Sequence, residues 1–323
     1  MQLQELLNAY RESARSEREK GDYFERLLRV FLENDDIQKQ FYSQVVPFTE
    51  WANAQCWSKT DTGIDLVATL ADGSGFAAIQ CKFYAPNYSI QKPDIDSFIS
   101  AASNDVFTRL VIADTTRKEF GKNAKETLDN LSKDWNRISI NELEASRIDW
   151  SQFIRTGNVS LAPKKQLRNH QIEALHEVSE GLAEADRGKL IMACGTGKTF
   201  TGLRIAEALA GKGKRVLFMV PSLALMSQTV REWKNDCQDE FTAFSACSDT
   251  KVGRNADADS LDLNVHDLAF PATTDPARCA DDRVDPATSL STRWARQRHR
   301  RCRSRTGNPR AMRSIPDDRI DPR

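Results

Sequence analysis

The sequence predicts an α/β protein built from two successive units, and three observations support this prediction. Periodic apolar helices alternate with short apolar strands from the N-terminus to about residue 236. A polar segment rich in loop-forming residues, 156–166, separates the two series and is the expected linker. With 323 residues, 40% of them hydrophobic, the chain is long enough for about two domains, each with its own core.

Composition excludes several classes of protein. The 46 Lys and Arg balance 46 Asp and Glu, so the net charge alone does not indicate a nucleic-acid partner, although a local basic groove is compatible with it. No run approaches the roughly 18 apolar residues that span a bilayer, and the N-terminus lacks the order of a signal peptide. The seven Cys show no C-x-x-C spacing, which argues against disulfides or a zinc ribbon. We therefore expect a cytoplasmic protein without membrane contact.

The first unit begins with a helix predicted over 5–33, because apolar residues recur there at helical spacing on one stripe: Phe24, Leu27, Leu28, Phe31 and Leu32. A D-G turn at 71–74 predicts a hairpin between strands 63–70 and 75–84. The remainder alternates between helices and strands, with helices over 93–104 and 118–133 and strands over 110–113 and 138–140.

The second unit repeats this alternation with short connections, which predicts a parallel sheet. Three helices are expected, over 170–186 (with Asn169 as the cap), 198–210 and 223–236, and apolar strands are expected over 189–193 and 215–220. From 279 the character changes. Residues 279–323 contain twelve Arg and no Lys or Glu, so this tail is expected to be disordered. Two interpretations of the tail remain open, an out-of-frame translation and a basic nucleic-acid arm.

A phosphate loop is the strongest motif. Gly195, Thr196, Gly197, Lys198 and Thr199 follow an apolar strand and open a helix. Glycines let the backbone wrap a phosphate, and the amides at the helix start point towards the anion. The lysine would contact the β- and γ-phosphates of ATP, and the hydroxyl of Thr199 would ligate its Mg²⁺.

This loop resembles that of superfamily 2 helicases and translocases. The resemblance implies a partial RecA-like domain in which Gln171, 27 residues before Lys198, reads the adenine of ATP. The following segment 220–228 resembles a motif that contacts the nucleic-acid backbone. No Walker B segment follows, so ATP binding is expected and ATP hydrolysis is doubtful.

A second constellation lies in the first unit. Gln80 and Lys82 are two residues apart in a predicted strand, so they project to one side, and Asp65 lies across the hairpin. Metal-dependent phosphodiester cleavage needs a carboxylate for Mg²⁺, another oxygen ligand and a lysine to orient water. Glu25, at the border of the apolar helix stripe, could supply a further acid.

The same segment resembles the Q-x-K version of the PD-(D/E)xK motif in Mrr-like restriction endonucleases. The resemblance implies a restriction-endonuclease-like mixed sheet, with Glu25, Asp65, Gln80 and Lys82 at the metal and catalytic centre. An Mrr-like nuclease followed by a helicase-type motor resembles the N-terminal part of type ISP restriction–modification enzymes, and segments 61–66 and 80–86 match that pattern. The implied partners are double-stranded DNA, Mg²⁺ and ATP.

The expected organisation is a nuclease domain over 1–155, a linker over 156–166, a partial ATP-binding domain over 167–278 and the tail over 279–323. Two alternative functions remain open. The chain could be a non-catalytic remnant that binds DNA or ATP. It could also be an ATP-dependent helicase with an unrelated accessory module at its N-terminus.

Overall fold

A computed structural model describes residues 2–57, 63–243, 245–246 and 272–273. All of these lie within one compact unit, Met1–Asp281. Within these ranges, no helix is long and apolar enough to cross a membrane. The predicted tail lies outside the described residues, and so do residues 61 and 62 of the segment 61–66 that resembles type ISP enzymes.

Two helices, α1 (Gln2–Ser13) and α2 (Glu17–Asn34), replace the single helix predicted over 5–33. The break occurs because Ser16 caps α2, its hydroxyl accepting a hydrogen bond of 3.2 Å from the backbone N–H of Glu19. The predicted apolar stripe is confirmed, since all five of its side chains are fully buried: Phe24, Leu27, Leu28, Phe31 and Leu32. The stripe therefore attaches α2 to the core.

A five-stranded mixed sheet forms the centre of the first part of the chain. Its strands lie in sequence order: β1 (Tyr42–Pro47), β2 (Leu66–Leu70), β3 (Phe76–Lys82), β4 (Phe107–Asp114) and β5 (Asp134–Ser139). The β1–β2 and β2–β3 pairs are antiparallel, and β3–β4 and β4–β5 are parallel. This mixed sheet confirms the predicted fold class of the first unit, although β1 was not predicted.

Helices cover both faces of this sheet. On one face, α3 (Phe48–Ala54), α4 (Lys92–Ala102) and α5 (Lys122–Asp129) contribute to one buried cluster with Ala78 and Ile112 of the sheet. On the other face, α1 and α2 pack with α6 (Ile140–Glu144) and α7 (Trp150–Thr156). Because alternate residues of a strand face opposite sides, the sheet separates the two cores.

The predicted helices of the second part are confirmed as α8 (Asn169–Glu184), α9 (Lys198–Ala210) and α10 (Leu223–Asp236). The predicted cap is wrong, because Arg168 caps α8 and Asn169 is its first residue. A small core joins α9 to α10 through Phe200, Leu203 and Trp233. The indole N–H of Trp233 donates to the carbonyl of Thr199 at 2.9 Å, so α10 supports the first turn of α9. A short parallel pair, β6 (Ser245–Ala246) and β7 (Ala272–Thr273), follows.

The predicted strands over 189–193 and 215–220 are wrong for this structure, because neither segment is paired in a sheet. A strand requires a neighbour that completes its backbone hydrogen bonds, and β6 and β7 pair only with each other among the described residues. The apolar side chains of 189–193 and 215–220 are accordingly exposed, with Ile191 at 90%, Leu217 at 86% and Met219 at 83%.

Candidate active site

Asp65 lies immediately before β2, where backbone bonds fix it on both sides. Its N–H donates to the carbonyl of Ile79 at 2.9 Å, and its own carbonyl accepts from the N–H of Phe48 at 2.9 Å. Its carboxylate Oδ2 accepts a 2.6 Å hydrogen bond from the backbone N–H of Cys81. The carboxylate is therefore held against β3 at the residue between Gln80 and Lys82.

The alternation predicted for β3 is confirmed. Ile79 belongs to the core beneath α2, and Cys81 and Phe83 pack against that core. Gln80 is only 3% exposed; its Nε2 donates to the carbonyl of Gly63 at 3.0 Å. Its Oε1 is buried and has no hydrogen-bond partner among the described residues. An unpaired buried acceptor costs free energy until a partner pairs it.

An open cavity of about 660 Å³ brings three of the predicted residues together. Its lining combines the end of the β2–β3 hairpin with one face of α4: Gly63, Asp65, Gln80, Cys81, Lys82, Ser97, Ser100 and Ala101. Gly63 has a positive φ of 80°, which favours glycine. There is also no room for a side chain, because a Cβ atom at this position would lie 2.8 Å from Ser97 Oγ. Glycine thus lets the hairpin end pack closely against α4 at one side of the cavity.

Glu25 lies on α2, on the opposite face of the sheet from α4, and does not line the cavity. It is half-buried, and its charge interacts with that of Asp65. Burial, followed by repulsion from Asp65 and Asp22, raises the pKa of Glu25 to about 7, against a smaller opposing effect of Arg18. Two carboxylates that repel each other in this way favour a cation nearby.

Burial lowers the pKa of Lys82, although the carboxylates of Asp65 and Asp94 act against this shift. Sequence reasoning missed Asp94. Its carboxylate accepts hydrogen bonds from the hydroxyls of Tyr84 at 3.1 Å and Tyr88 at 2.8 Å. Burial, together with the Asp94 carboxylate, raises the pKa of Tyr84 to about 12, so this hydroxyl stays neutral. The one signal in the sequence was the K-x-Y spacing of Lys82 and Tyr84, which places Tyr84, a hydrogen-bond partner of Asp94, close to Lys82.

The donor set fits a hard divalent cation. Among the described residues, no group of three or more His, Cys, Asp or Glu side chains is placed to hold a metal. Asp65 and Gln80 nevertheless line the cavity together, and carboxylate and amide oxygens are ligands that Mg²⁺ prefers. The unpartnered Oε1 of Gln80 is the structural observation that supports this fit.

The predicted phosphate loop adopts a curled conformation before α9. Gly195 and Gly197 have positive φ angles of 77° and 81°, and α9 begins at Lys198. The ammonium group of Lys198 donates to the carbonyls of Ala193 at 3.2 Å and Met192 at 3.4 Å. The lysine therefore points back over its own loop, where a phosphate would lie. Thr199, at the second position of α9, is partly exposed.

Gln171 contacts this loop directly. It is 4% exposed; its Nε2 donates to the carbonyl of Thr196 at 3.0 Å, and its Oε1 accepts from the N–H of Arg168 at 2.9 Å. His170 also contacts the Thr196 carbonyl, at 3.1 Å from its Nε2. Both polar atoms of the Gln171 amide are thus engaged within the protein, so its assignment as the adenine reader stays a prediction.

The two parts of the chain match two families. Residues 33–159 match the family described as "Restriction endonuclease", and residues 164–269 match "Type III restriction enzyme, res subunit". The chain therefore joins a restriction endonuclease domain to a helicase-type restriction domain. None of the curated proteins compared with the chain matches it.

Among solved structures, the chain is similar to the ATP-dependent type ISP restriction–modification enzyme LlaBIII bound to DNA. The two are 33% identical with a TM-score of 0.68, and the match covers 85% of this chain and 17% of that chain. A nuclease-deletion mutant of the type ISP enzyme LlaGI in complex with a DNA substrate mimic also matches, at 38% identity and a TM-score of 0.28, over 36% of this chain and 11% of that chain. The chain thus spans under a fifth of the LlaBIII enzyme's length.

Proposed function

We propose that the first part of this chain is a Mg²⁺-dependent endonuclease that cleaves phosphodiester bonds of double-stranded DNA. The observation that carries the proposal is the cavity that Asp65, Gln80 and Lys82 line together, with a buried Gln80 Oε1 that has no hydrogen-bond partner among the described residues. The family match over 33–159 and the DNA in the LlaBIII structure support DNA as the substrate.

Each side chain has a distinct role in this proposal. Asp65 and Gln80 would hold the cation from within the cavity, and Glu25 would add a carboxylate from α2 beside Asp65. The bound cation would stabilise negative charge on the phosphoryl oxygens. Lys82 orients the attacking water and stabilises the charge that develops at phosphorus. Because burial lowers the pKa of Lys82, its amine also exchanges a proton more readily than an exposed lysine.

We further propose the domain division predicted from the sequence, with the nuclease over 1–155, a linker over 156–166 and an ATP-binding part over 167–278. The two family matches, over 33–159 and 164–269, support this division.

Replacing Asp65 with asparagine tests the nuclease. Asparagine can still accept the hydrogen bond from Cys81 N–H, so the hairpin end is preserved while the charge is removed. We expect DNA cleavage to fall at least about 100-fold, because the metal loses its central carboxylate. The measurement is linearisation of plasmid DNA in Mg²⁺, with a chelator as the metal-free reference.

The matched control is Asp72→Asn. Asp72 lies in the hairpin turn and accepts from the N–H of Ser74 at 2.8 Å, away from the cavity. This variant should cleave like the wild type. The proposal is contradicted if the wild type does not cut DNA with any divalent cation, or if Asp65→Asn cuts as fast as the wild type.

The second part has its own proposed ligand, ATP with Mg²⁺, at Gly195, Thr196, Gly197, Lys198 and Thr199. The supporting observation is the pair of positive-φ glycines around a lysine that opens α9. We expect Lys198→Ala to weaken ATP binding by at least about tenfold, because a charge-assisted contact to phosphate is lost. Titration of a fluorescent ATP analogue measures this.

Lys212→Ala is the control for this titration, since Lys212 lies beyond α9 and is 86% exposed at the side chain. It should bind ATP like the wild type. Equal affinities of the wild type and Lys198→Ala would count against the nucleotide site.

A further inference from the structure

Two hydroxyl groups on α4 line the same cavity as the candidate catalytic residues. Ser97 and Ser100 are one helical turn apart, so their side chains lie on one face of α4. That face lines the same cavity as Gln80 and Lys82, and Ala101 adds a small side chain to it. The face is therefore polar, uncharged and open enough to admit a ligand.

Some hydroxyls on helices of this protein are already occupied by the backbone. Thr127, Thr156, Ser179 and Thr201 each donate to the backbone carbonyl four residues earlier, at 2.7–3.1 Å. This local bond is the usual arrangement for such residues in a helix. Ser97 and Ser100 make no side-chain hydrogen bond to any other residue in the described part of the chain. Their donors are left available to whatever enters the cavity.

The chemistry of the other wall indicates what enters. Gln80 and Lys82 both line this cavity, and Lys82 supplies a positive charge. A lysine and two hydroxyl donors that line one cavity suit an anion with several acceptor oxygens. A phosphodiester meets this description, because its non-bridging oxygens accept hydrogen bonds from serine hydroxyls.

We propose that Ser97 and Ser100 bind the DNA backbone at a phosphate beside the one that is cleaved, and so position the strand against Lys82. This inference rests on the proposed nuclease function, whose substrate it locates. The contact involves the phosphate and no base, so it adds affinity for any DNA sequence. It also explains why Gly63 is needed, since a side chain there would displace Ser97.

The test is DNA binding by the full chain without cleavage, measured as fluorescence anisotropy of a labelled 30-base-pair duplex in a chelator and in Ca²⁺. We expect the Ser97→Ala, Ser100→Ala double variant to bind about tenfold more weakly. Since a hydroxyl releases no counterion, the slope of affinity against salt concentration should stay unchanged. Ser100→Lys should bind more tightly than the wild type, with a steeper slope.

Ser43→Ala serves as the control, because Ser43 lies on β1 and its hydroxyl donates to the carbonyl of Thr69 at 3.3 Å. Unchanged affinity in both the double variant and Ser100→Lys would overturn the inference, and so would a change equal to that of Ser43→Ala. Because binding is measured without chemistry, failure of the nuclease proposal would appear separately, as normal binding by a wild type that never cuts.

Discussion

Replacing Lys82 with alanine is expected to lower the rate of DNA cleavage by at least about 100-fold while leaving the fold intact. A positioned proton donor or cation in a partly buried site commonly contributes about 10²–10⁴-fold to a rate. Lys82 lines the cavity beside Asp65 and Gln80, and it is the one lysine among the described residues that line it. The initial rate of plasmid linearisation in saturating Mg²⁺ measures the loss.

The fold should survive this change because burial disfavours the charged form of Lys82, as its lowered pKa indicates. Removing the amine therefore relieves a cost of burial. Lys122→Ala is the matched control, since that lysine lies on α5, is 86% exposed at the side chain and is away from the cavity. Cleavage by Lys82→Ala at the wild-type rate would remove Lys82 from the site, whatever the result at Asp65.

Asp65, Gln80 and Lys82 could be predicted to lie together because they obey a local rule. The alternation of side chains along a strand places Gln80 and Lys82 on one face whatever the rest of the fold does. The D-G turn then fixes the hairpin and brings Asp65 across from β3. Both inferences depend on a few neighbouring residues.

Other features depend on distant partners and were missed. Ser97 and Ser100 come to the cavity because α4 packs over the end of the hairpin, and serine on a predicted helix gives no such signal by itself. Glu25 was assigned from the stripe border, yet α2 covers the other face of the sheet, and Glu25 reaches the site only through the field of Asp65. The packing of helices on a sheet cannot be read from local spacing.

The unpaired segments 189–193 and 215–220 show the opposite failure. Their apolar runs have the composition of buried strands, and this composition led to a parallel sheet being predicted. Pairing is a property of two segments, however, and a run such as 215–220 forms a strand only where a neighbour accepts its backbone bonds.

Replacing Glu25 with glutamine should raise the stability of the metal-free protein at pH 8. The pKa of Glu25 is raised from 4.5 to about 7, mainly by burial and then by Asp65 and Asp22. A carboxyl whose pKa is raised by folding contributes stability below about pH 4.5, and that stability is lost as the pH rises through about 7. The charged form therefore destabilises the fold at pH 8, and glutamine removes this cost.

The full difference between 4.5 and about 7 corresponds to about 3 kcal/mol. Glu25 is partly exposed, so solvent screening reduces the expected gain to about 1–2 kcal/mol. Thermal unfolding in a chelator should show a melting temperature higher by about 2–6 °C for Glu25→Gln at pH 8, with no difference at pH 4. Glu12→Gln, on the exposed side of α1, should match the wild type at both pH values.

Divalent cations should reverse this order if Glu25 is a ligand. At pH 8, saturating Ca²⁺ should stabilise the wild type more than Glu25→Gln, because binding the folded state raises its stability and the variant lacks one ligand. The repulsion between Glu25 and Asp65 that destabilises the empty site is the same interaction that a cation neutralises. A Glu25→Gln protein that is less stable than the wild type at pH 8 in a chelator would show that Glu25 is held by a partner that favours its charge, and would separate it from the metal site.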